Sequence, residues 1–221
     1  MKLIHNFKSP NFNDRKSNNI EIIVIHYTAL SCISNSLKYL CSKNNKVSSH
    51  YLISQEGKIY SLVSEKKRAW HAGQAYWKGN TDINSISIGI ELDFSPSDIN
   101  NKFTLKLNSS LIFLLNKLKK KYQINIENVL GHSDIAPYRK IDPGKYFPWQ
   151  MLENKKLSYR PQFLIGAEIK NRLKKELSNK NTLNSMKKKI KLSKIQTLQV
   201  RIKFILIEPF FFQVIFNFFS I

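Results

Sequence analysis

The sequence predicts an α/β domain in which helices flank a mixed central β-sheet, followed by a basic tail of undefined structure. Residues 20–29, IEIIVIHYTA, form a nearly continuous apolar run that is typical of a central strand buried on both faces. Residues 86–94, ISIGIELDF, alternate between apolar and small or polar positions, which predicts another strand. Thr104 can cap a helix whose leucine stripe continues to about Lys121, and this helix is expected to cover the sheet.

Length and charge limit the classes of function. A chain of 221 residues with 42% hydrophobic content can form one well-buried domain and a tail. The net charge is +21, and residues 151–221 contribute 15 basic against 4 acidic residues, a balance of +11. Such a charge favours anionic partners. Because the tail has no recognised nucleic-acid-binding signature, we do not expect nucleic acid to be a partner.

Residues 1–19 are predicted to be a polar leader. They contain neither the apolar core nor the small-residue cleavage site of a secretory signal, so a cytoplasmic location is expected, with the periplasm or cell envelope as the alternative. Residues 30–43 are predicted to be helical, which would place Cys32 and Cys41 on opposite faces. We therefore expect two reduced thiols.

Two short strands are predicted to form a hairpin. Residues 47–54 and 58–63 are joined by a turn in which Gly57 is free to adopt a positive φ. His50 lies on the first strand among polar neighbours. This position is compatible with core packing and also with the wall of a functional site, which is the interpretation that we favour.

Residues 68–79, RAWHAGQAYWKG, show no helix or strand period and are predicted to form a loop with an aromatic surface. Trp70, His71 and Trp77 have side chains suited to stacking on sugar faces. The alternative is that the tryptophans cover the edge of the core, and this is as plausible as stacking for Trp77.

Glu91 is a candidate catalytic acid or base. In the alternating strand it shares a face with Ser87 and Gly89, and these small residues leave room in front of its carboxylate. A solvent-facing glutamate on an edge strand is the alternative interpretation.

Residues 130–144, LGHSDIAPYRKIDPG, form a chemically rich loop stiffened by two prolines. A hydrolytic zinc site needs three protein ligands and one open position, and two histidines with one carboxylate are a common set. The sequence offers His26 and His132, each at a strand end, together with Asp134 or Asp142. Spacing alone does not choose between the aspartates.

The tail, residues 151–221, is basic and then phenylalanine-rich. Its last segment, residues 201–221, is interrupted by Glu208 and Pro209, which argues against a membrane-spanning helix. Two alternatives remain open: weak contact with an anionic membrane surface, or a terminus without a selected role. We expect the protein to be a monomer.

Five ordered motifs within residues 20–150 resemble one known family. IVIHYTA, SSHYLIS, AWHAG, SIGIELDF and GHSDIAPYRKIDPGKYFPW are similar to the zinc-dependent N-acetylmuramoyl-L-alanine amidases, a family that includes phage lysozyme-type amidases, bacterial anhydromuramyl-peptide amidases and animal peptidoglycan recognition proteins. The resemblance implies hydrolysis of the amide between N-acetylmuramic acid, or its anhydro form, and L-alanine in peptidoglycan or muropeptides, with a place in cell-wall turnover and recycling. The alternative is a peptidoglycan-binding module that does not cut.

The resemblance also implies roles for individual residues. It makes His26, His132 and Asp142 the ligands of Zn²⁺, Glu91 the general base, and Lys140 the cation that stabilises the oxyanion.

Three further residues, His50, Trp70 and His71, are implied to lie near or line the substrate groove. Asp134 then becomes a brace that accepts hydrogen bonds from backbone N–H groups of its loop.

Overall fold

The computed structural model describes residues 2–97 and 102–159. The strands are β1 (Leu3–Ile4), β2 (Phe12–Asp14), β3 (Ile22–Tyr27), β4 (Tyr51–Ile53), β5 (Ile59–Ser61), β6 (Lys67–Ala69), β7 (Ser87–Leu92) and β8 (Val129–Gly131). The helices are α1 (Ile33–Cys41), α2 (Ile83–Ile86), α3 (Leu105–Tyr122), α4 (His132–Ile135) and α5 (Trp149–Asn154).

The main sheet has six strands in the order β1-β5-β4-β7-β3-β8, and β2 pairs with β6 in a separate ribbon. Strand β3 is parallel to both β7 and β8, whereas β4 and β5 are antiparallel. The sheet is therefore mixed, and the predicted fold class is confirmed. Because β7 lies between β4 and β3, Glu91 is on a central strand and not on an edge.

The hairpin between β4 and β5 is confirmed. Gly57 has a φ of 79°, a backbone conformation that glycine adopts without steric cost. A Cβ at this position would lie 2.8 Å from the carbonyl oxygen of Lys106, so α3 approaches the turn closely.

Helix α3 covers one face of the sheet, as predicted. Its N-terminus is capped by Thr104, whose Oγ1 accepts a hydrogen bond from the N–H of Leu107 at 3.1 Å. The leucines that face the sheet are fully buried: Leu107, Leu111, Leu114, Leu115 and Leu118. Each contributes roughly 1.5–3 kcal/mol through removal of apolar surface from water.

The opposite face of the sheet carries α1 and the loops that form the candidate site. Leu37 and Leu40 of α1 pack with Leu52 and Tyr60 of the hairpin. Cys32, exposed before α1, and Cys41, at its end, are free thiols, as predicted.

The packed domain extends past both predicted boundaries, at residue 20 and at residue 150. In the segment expected to be a leader, β1 pairs with β5 and β2 pairs with β6, although strands this short carry too little periodicity to be recognised. At the other end, Leu152 and Leu157 belong to the hydrophobic core, so the packed unit continues beyond residue 150.

The predictions for residues 160–221 concern a segment outside the described residues. Among the helices of residues 2–97 and 102–159, none has the length and apolarity required to cross a membrane.

Candidate metal centre

Three side chains that could hold a metal ion converge where β3 and β8 end. The two strands are parallel with Ile25 opposite Gly131, so His26 and His132, each one residue further on, come side by side. The Nδ1 atoms of the two rings are 3.0 Å apart, and each is 3.0 Å from Oδ2 of Asp142. Within residues 2–97 and 102–159, these buried residues are the only group of three or more with metal-site geometry.

The outer contact of His132 determines which of its nitrogens carries the proton. Nε2 lies 3.0 Å from the carbonyl oxygen of Ala72, which can only accept, so Nε2 is protonated and donates. Arg139 Nη2 lies 3.4 Å from the same nitrogen but donates to the carbonyls of Ala72 and Gln74 at 2.8 and 2.7 Å. The neutral ring of His132 therefore presents an unprotonated Nδ1 to the centre.

The proton on His26 is determined by a chain of contacts behind it. Ser87 Oγ donates to the carbonyl of Ile83 at 2.6 Å and so accepts from Nε2 of His71 at 3.1 Å. Neutral His71 then has an unprotonated Nδ1, which accepts from Nε2 of His26 at 3.1 Å. His26 therefore also presents an unprotonated Nδ1 to the centre.

The donor set fits a metal cation. In these tautomers, two imidazole lone pairs and one carboxylate oxygen face one another, and only a positive charge, either a proton or a metal ion, makes that arrangement favourable. Burial lowers the pKa of His26 to about 4, which opposes protonation of this ring. Burial on its own would raise the pKa of Asp142. The hydrogen bonds with His132 and His26 outweigh burial and hold this pKa well below its usual value.

Glu91 lies beside this centre. It is opposite His26 in the register of β3 and β7, so the two side chains share a face of the sheet. Its Oε2 is buried and makes no hydrogen bond within the described part of the chain. Burial, with the nearby Asp142 charge, raises the pKa of Glu91 to about 8, and Lys140 opposes this shift.

Comparison with known proteins assigns this centre to a family. Residues 16–145 match the sequence profile of N-acetylmuramoyl-L-alanine amidases. The chain belongs to this family. The match covers more than half of the chain and includes all three converging residues and Glu91.

Individual relatives of this amidase-family chain support the same assignment. It is 40% identical over 155 residues to the N-acetylmuramoyl-L-alanine amidase AmiD of Escherichia coli, an alignment that covers 60% of this chain and about half, 52%, of AmiD. It is 35% identical over 162 residues to the 1,6-anhydro-N-acetylmuramyl-L-alanine amidase AmpD of Haemophilus influenzae, covering 65% of this chain and 86% of AmpD. The solved complex of E. coli AmiD with anhydro-N-acetylmuramic acid-L-Ala-D-gamma-Glu-L-Lys superposes with a TM-score of 0.61 at 37% identity, covering 68% of this chain and 63% of that one.

Of the three predicted groove residues of this amidase-family chain, two are buried and one is partly exposed. His71 is buried behind His26, and its ring fills the space over Gly89 in which the sequence predicted room for substrate. His50 is fully buried and its ring is 5.7 Å from that of His71. Trp70 is partly buried, and its Nε1 donates to Asn13 Oδ1 on β2 at 2.8 Å.

Two loop residues have distinct environments. Lys140 is partly buried and its charge lowers the pKa of Glu91 and of His26, although burial is the main influence on both. Asp134 accepts a hydrogen bond from the N–H of Gly131 at 2.7 Å, which confirms the predicted brace.

Sequence analysis missed several residues that support the centre. Buried Asn84 accepts hydrogen bonds from the N–H groups of His71 and Ala72 at 3.1 and 2.8 Å, which fixes the loop that contacts His26 and His132. Arg15 donates to the carbonyls of Asn84, Ser85 and Ser87 at 3.1, 2.8 and 2.9 Å. Arg15 lies in the predicted leader and Asn84 in the four-residue helix α2, which is too short to show a period, so no periodic pattern could have identified them.

Proposed function

We propose that this chain is a zinc-dependent amidase that hydrolyses the bond between N-acetylmuramic acid, or its anhydro form, and L-alanine. The observation that carries the proposal is the convergence of His26, His132 and Asp142 beside Glu91 in a chain of this family. The alignment covers only 52% of AmiD, so the activity of that whole protein is assigned to this chain as a proposal.

Zinc suits the donor set, since two imidazoles and one carboxylate leave a fourth position for water. We assign His26 and His132 as ligands through Nδ1, and Asp142 as a ligand through Oδ2. A zinc ion held there would polarise the amide carbonyl and lower the pKa of a bound water to about 7.

Glu91 and Lys140 supply the remaining chemistry. Glu91 accepts the proton of the attacking water and returns it to the leaving amine, a task for which a carboxyl with a raised pKa is suited. Lys140, whose charge acts on Glu91, stabilises the negative charge that develops on the carbonyl oxygen.

The substrate class follows from the relatives. The AmiD complex contains an anhydro-muramyl tripeptide, and the H. influenzae relative is named for the 1,6-anhydro substrate. We therefore propose anhydro-muropeptides as the preferred substrates and assign the chain to peptidoglycan recycling. Its compartment, its monomeric state and any contact of the tail with an anionic membrane stay predictions.

The groove residues require revision. Complete burial makes His50 unsuited to contact substrate. Its Nδ1 accepts the N–H of Gly89 at 3.0 Å, so in the neutral ring Nε2 donates to the carbonyl of Lys67 at 3.0 Å. We propose that His50 supports β7 and that only Trp70, among the three predicted groove residues, remains a candidate for substrate contact.

The test compares the unsubstituted chain with Glu91→Gln on anhydro-muramyl tripeptide and on whole sacculi, with products identified by mass spectrometry. We expect cleavage before L-alanine, a preference for the soluble substrate, and a loss of roughly 10²–10⁴-fold in kcat for Glu91→Gln with unchanged zinc content. Equal turnover by the variant would refute the assignment. Substrate binding without cleavage by the zinc-loaded unsubstituted chain would instead identify a peptidoglycan-binding module.

A further inference from the structure

We propose that His71 is a positioning residue that fixes the tautomer of the metal ligand His26, and that Gly89 provides the space in which His71 does so. The inference rests on the metal-dependent function proposed above. It replaces the substrate contact that the sequence predicted for His71 with a role behind the metal centre.

The direction of the hydrogen bonds behind His26 is set by a backbone carbonyl. The carbonyl of Ile83 has no proton to give, so Ser87 must donate to it, at 2.6 Å. Nε2 of His71 then donates to Ser87 Oγ at 3.1 Å, and Nδ1 of His71 is left to accept from His26 at 3.1 Å. One backbone carbonyl thus determines, through two side chains, which nitrogen of His26 is unprotonated.

The ring of His71 also packs tightly against Gly89. A Cβ built on Gly89 would lie 2.4 Å from Cγ of His71 and 2.6 Å from Cδ2. No larger residue can occupy position 89 while the ring stays in place. The backbone of His71 is also held, because its N–H donates to Asn84 Oδ1 at 3.1 Å. The ring is therefore confined between the sheet and His26.

The space that His71 fills requires a hydrogen-bond acceptor. An apolar side chain of similar volume would leave Nε2–H of His26 buried without an acceptor, an unfavourable state for a polar group. His26 could then move its proton to Nδ1, which would remove the lone pair that the metal needs. A partner on the second nitrogen is the usual means by which proteins orient histidine ligands, and losing one lowers metal affinity by about 10–100-fold.

The test measures Zn²⁺ affinity of the full chain by competition with a chromogenic chelator, together with the visible absorption spectrum of the Co²⁺-loaded protein. His71→Leu removes the acceptor and nearly preserves volume, whereas His71→Asn keeps an amide oxygen near the place of Nδ1. Gly89→Ala leaves His71 present but displaces its ring. Leu118→Ala is the matched control, because Leu118 is fully buried under α3 on the other face of the sheet.

We expect Zn²⁺ affinity to fall about 10–100-fold in His71→Leu and Gly89→Ala, with a changed Co²⁺ spectrum, and to recover to within about threefold of the unsubstituted value in His71→Asn. Leu118→Ala should lower the unfolding temperature and leave metal affinity unchanged.

Unchanged affinity in His71→Leu, or an equal loss in His71→Asn and His71→Leu, would overturn the inference. A loss in Leu118→Ala equal to that in His71→Leu would also overturn it, because the effect would then follow general stability. If the unsubstituted chain binds zinc but cleaves no muramyl peptide, the proposed function fails while the role of His71 in metal binding is still decided by these ratios. If it binds no zinc, both proposals fail.

Discussion

Zinc should stabilise this protein against heat, and Asp142→Asn should abolish most of that effect. The folded chain holds the three proposed ligand atoms together, with both nitrogen–oxygen distances at 3.0 Å. In the unfolded chain nothing brings His26 close to His132, which is more than a hundred positions away in the sequence. A ligand that binds the folded state alone stabilises it by about 4.1 kcal/mol at a concentration of 1,000 times its dissociation constant. For a domain of this size, that corresponds to roughly 8–16 °C in unfolding temperature.

The assay is thermal unfolding followed by circular dichroism, with chelator or with free zinc held at a fixed buffered concentration. Asp142→Asn keeps the shape of the side chain but removes the negative charge that attracts the cation, so the zinc-dependent increase should nearly vanish. Asp14→Asn is the matched control, since Asp14 is an exposed partner of Lys67 on β2. An equal zinc-dependent increase in Asp142→Asn and the unsubstituted chain would refute the assignment of Asp142 as a ligand.

Three further predictions follow from individual contacts. Gly131→Ala places a Cβ 2.6 Å from Cδ of Pro143, so we expect the loop carrying Asp142 to shift, stability to fall by about 1–3 kcal/mol, and zinc affinity in a chelator competition to decrease. Lys140→Met should reduce kcat by roughly 10²–10³-fold with zinc content unchanged, as measured by steady-state kinetics and metal analysis. Burial lowers the pKa of His50 to about 3, so the unfolded chain takes up a proton below pH ~6.5 that the folded chain does not. His50 alone should therefore lower the unfolding free energy by about 1.4 kcal/mol per pH unit on acidification from pH ~6.5 towards its folded-state pKa of about 3, and His50→Gln should reduce the slope measured in denaturant titrations by that amount.

The parts of the site that the sequence predicts are those with a local periodic signal. The apolar run that ends near His26 identifies a buried strand end, and the alternation around Glu91 identifies the face on which it lies. Thr104 likewise identifies the start of α3 through its cap. Each of these inferences uses residues within one element, where period and capping chemistry are sufficient.

The parts that the sequence does not predict depend on which elements become neighbours. The loop containing His71 has no period, so nothing in it indicates that the ring turns inward onto β7. The same is true of Arg15, whose guanidinium reaches carbonyls around residues 84–87, about seventy positions away in the chain. Long-range pairing of this kind is determined by the order of strands in the sheet, which no single stretch of the chain encodes.

The glycines of β7 and β8 connect the candidate site to the sheet, because residues near the site pack directly on them. Glycine within a strand destabilises it by about 0.5–1 kcal/mol relative to alanine, so neither Gly89 nor Gly131 is explained by the stability of the strands themselves. In both cases a Cβ would enter space that a neighbouring residue already occupies: His71, behind His26, over Gly89, and Pro143, which follows Asp142 in the chain, over Gly131. Each glycine therefore allows a residue that adjoins a proposed ligand, His26 or Asp142, to lie directly on the sheet. If Gly89→Ala increases the free energy of unfolding of the metal-free chain, the ring of His71 must have moved away from β7. Such a variant should then bind zinc more weakly although its fold is more stable.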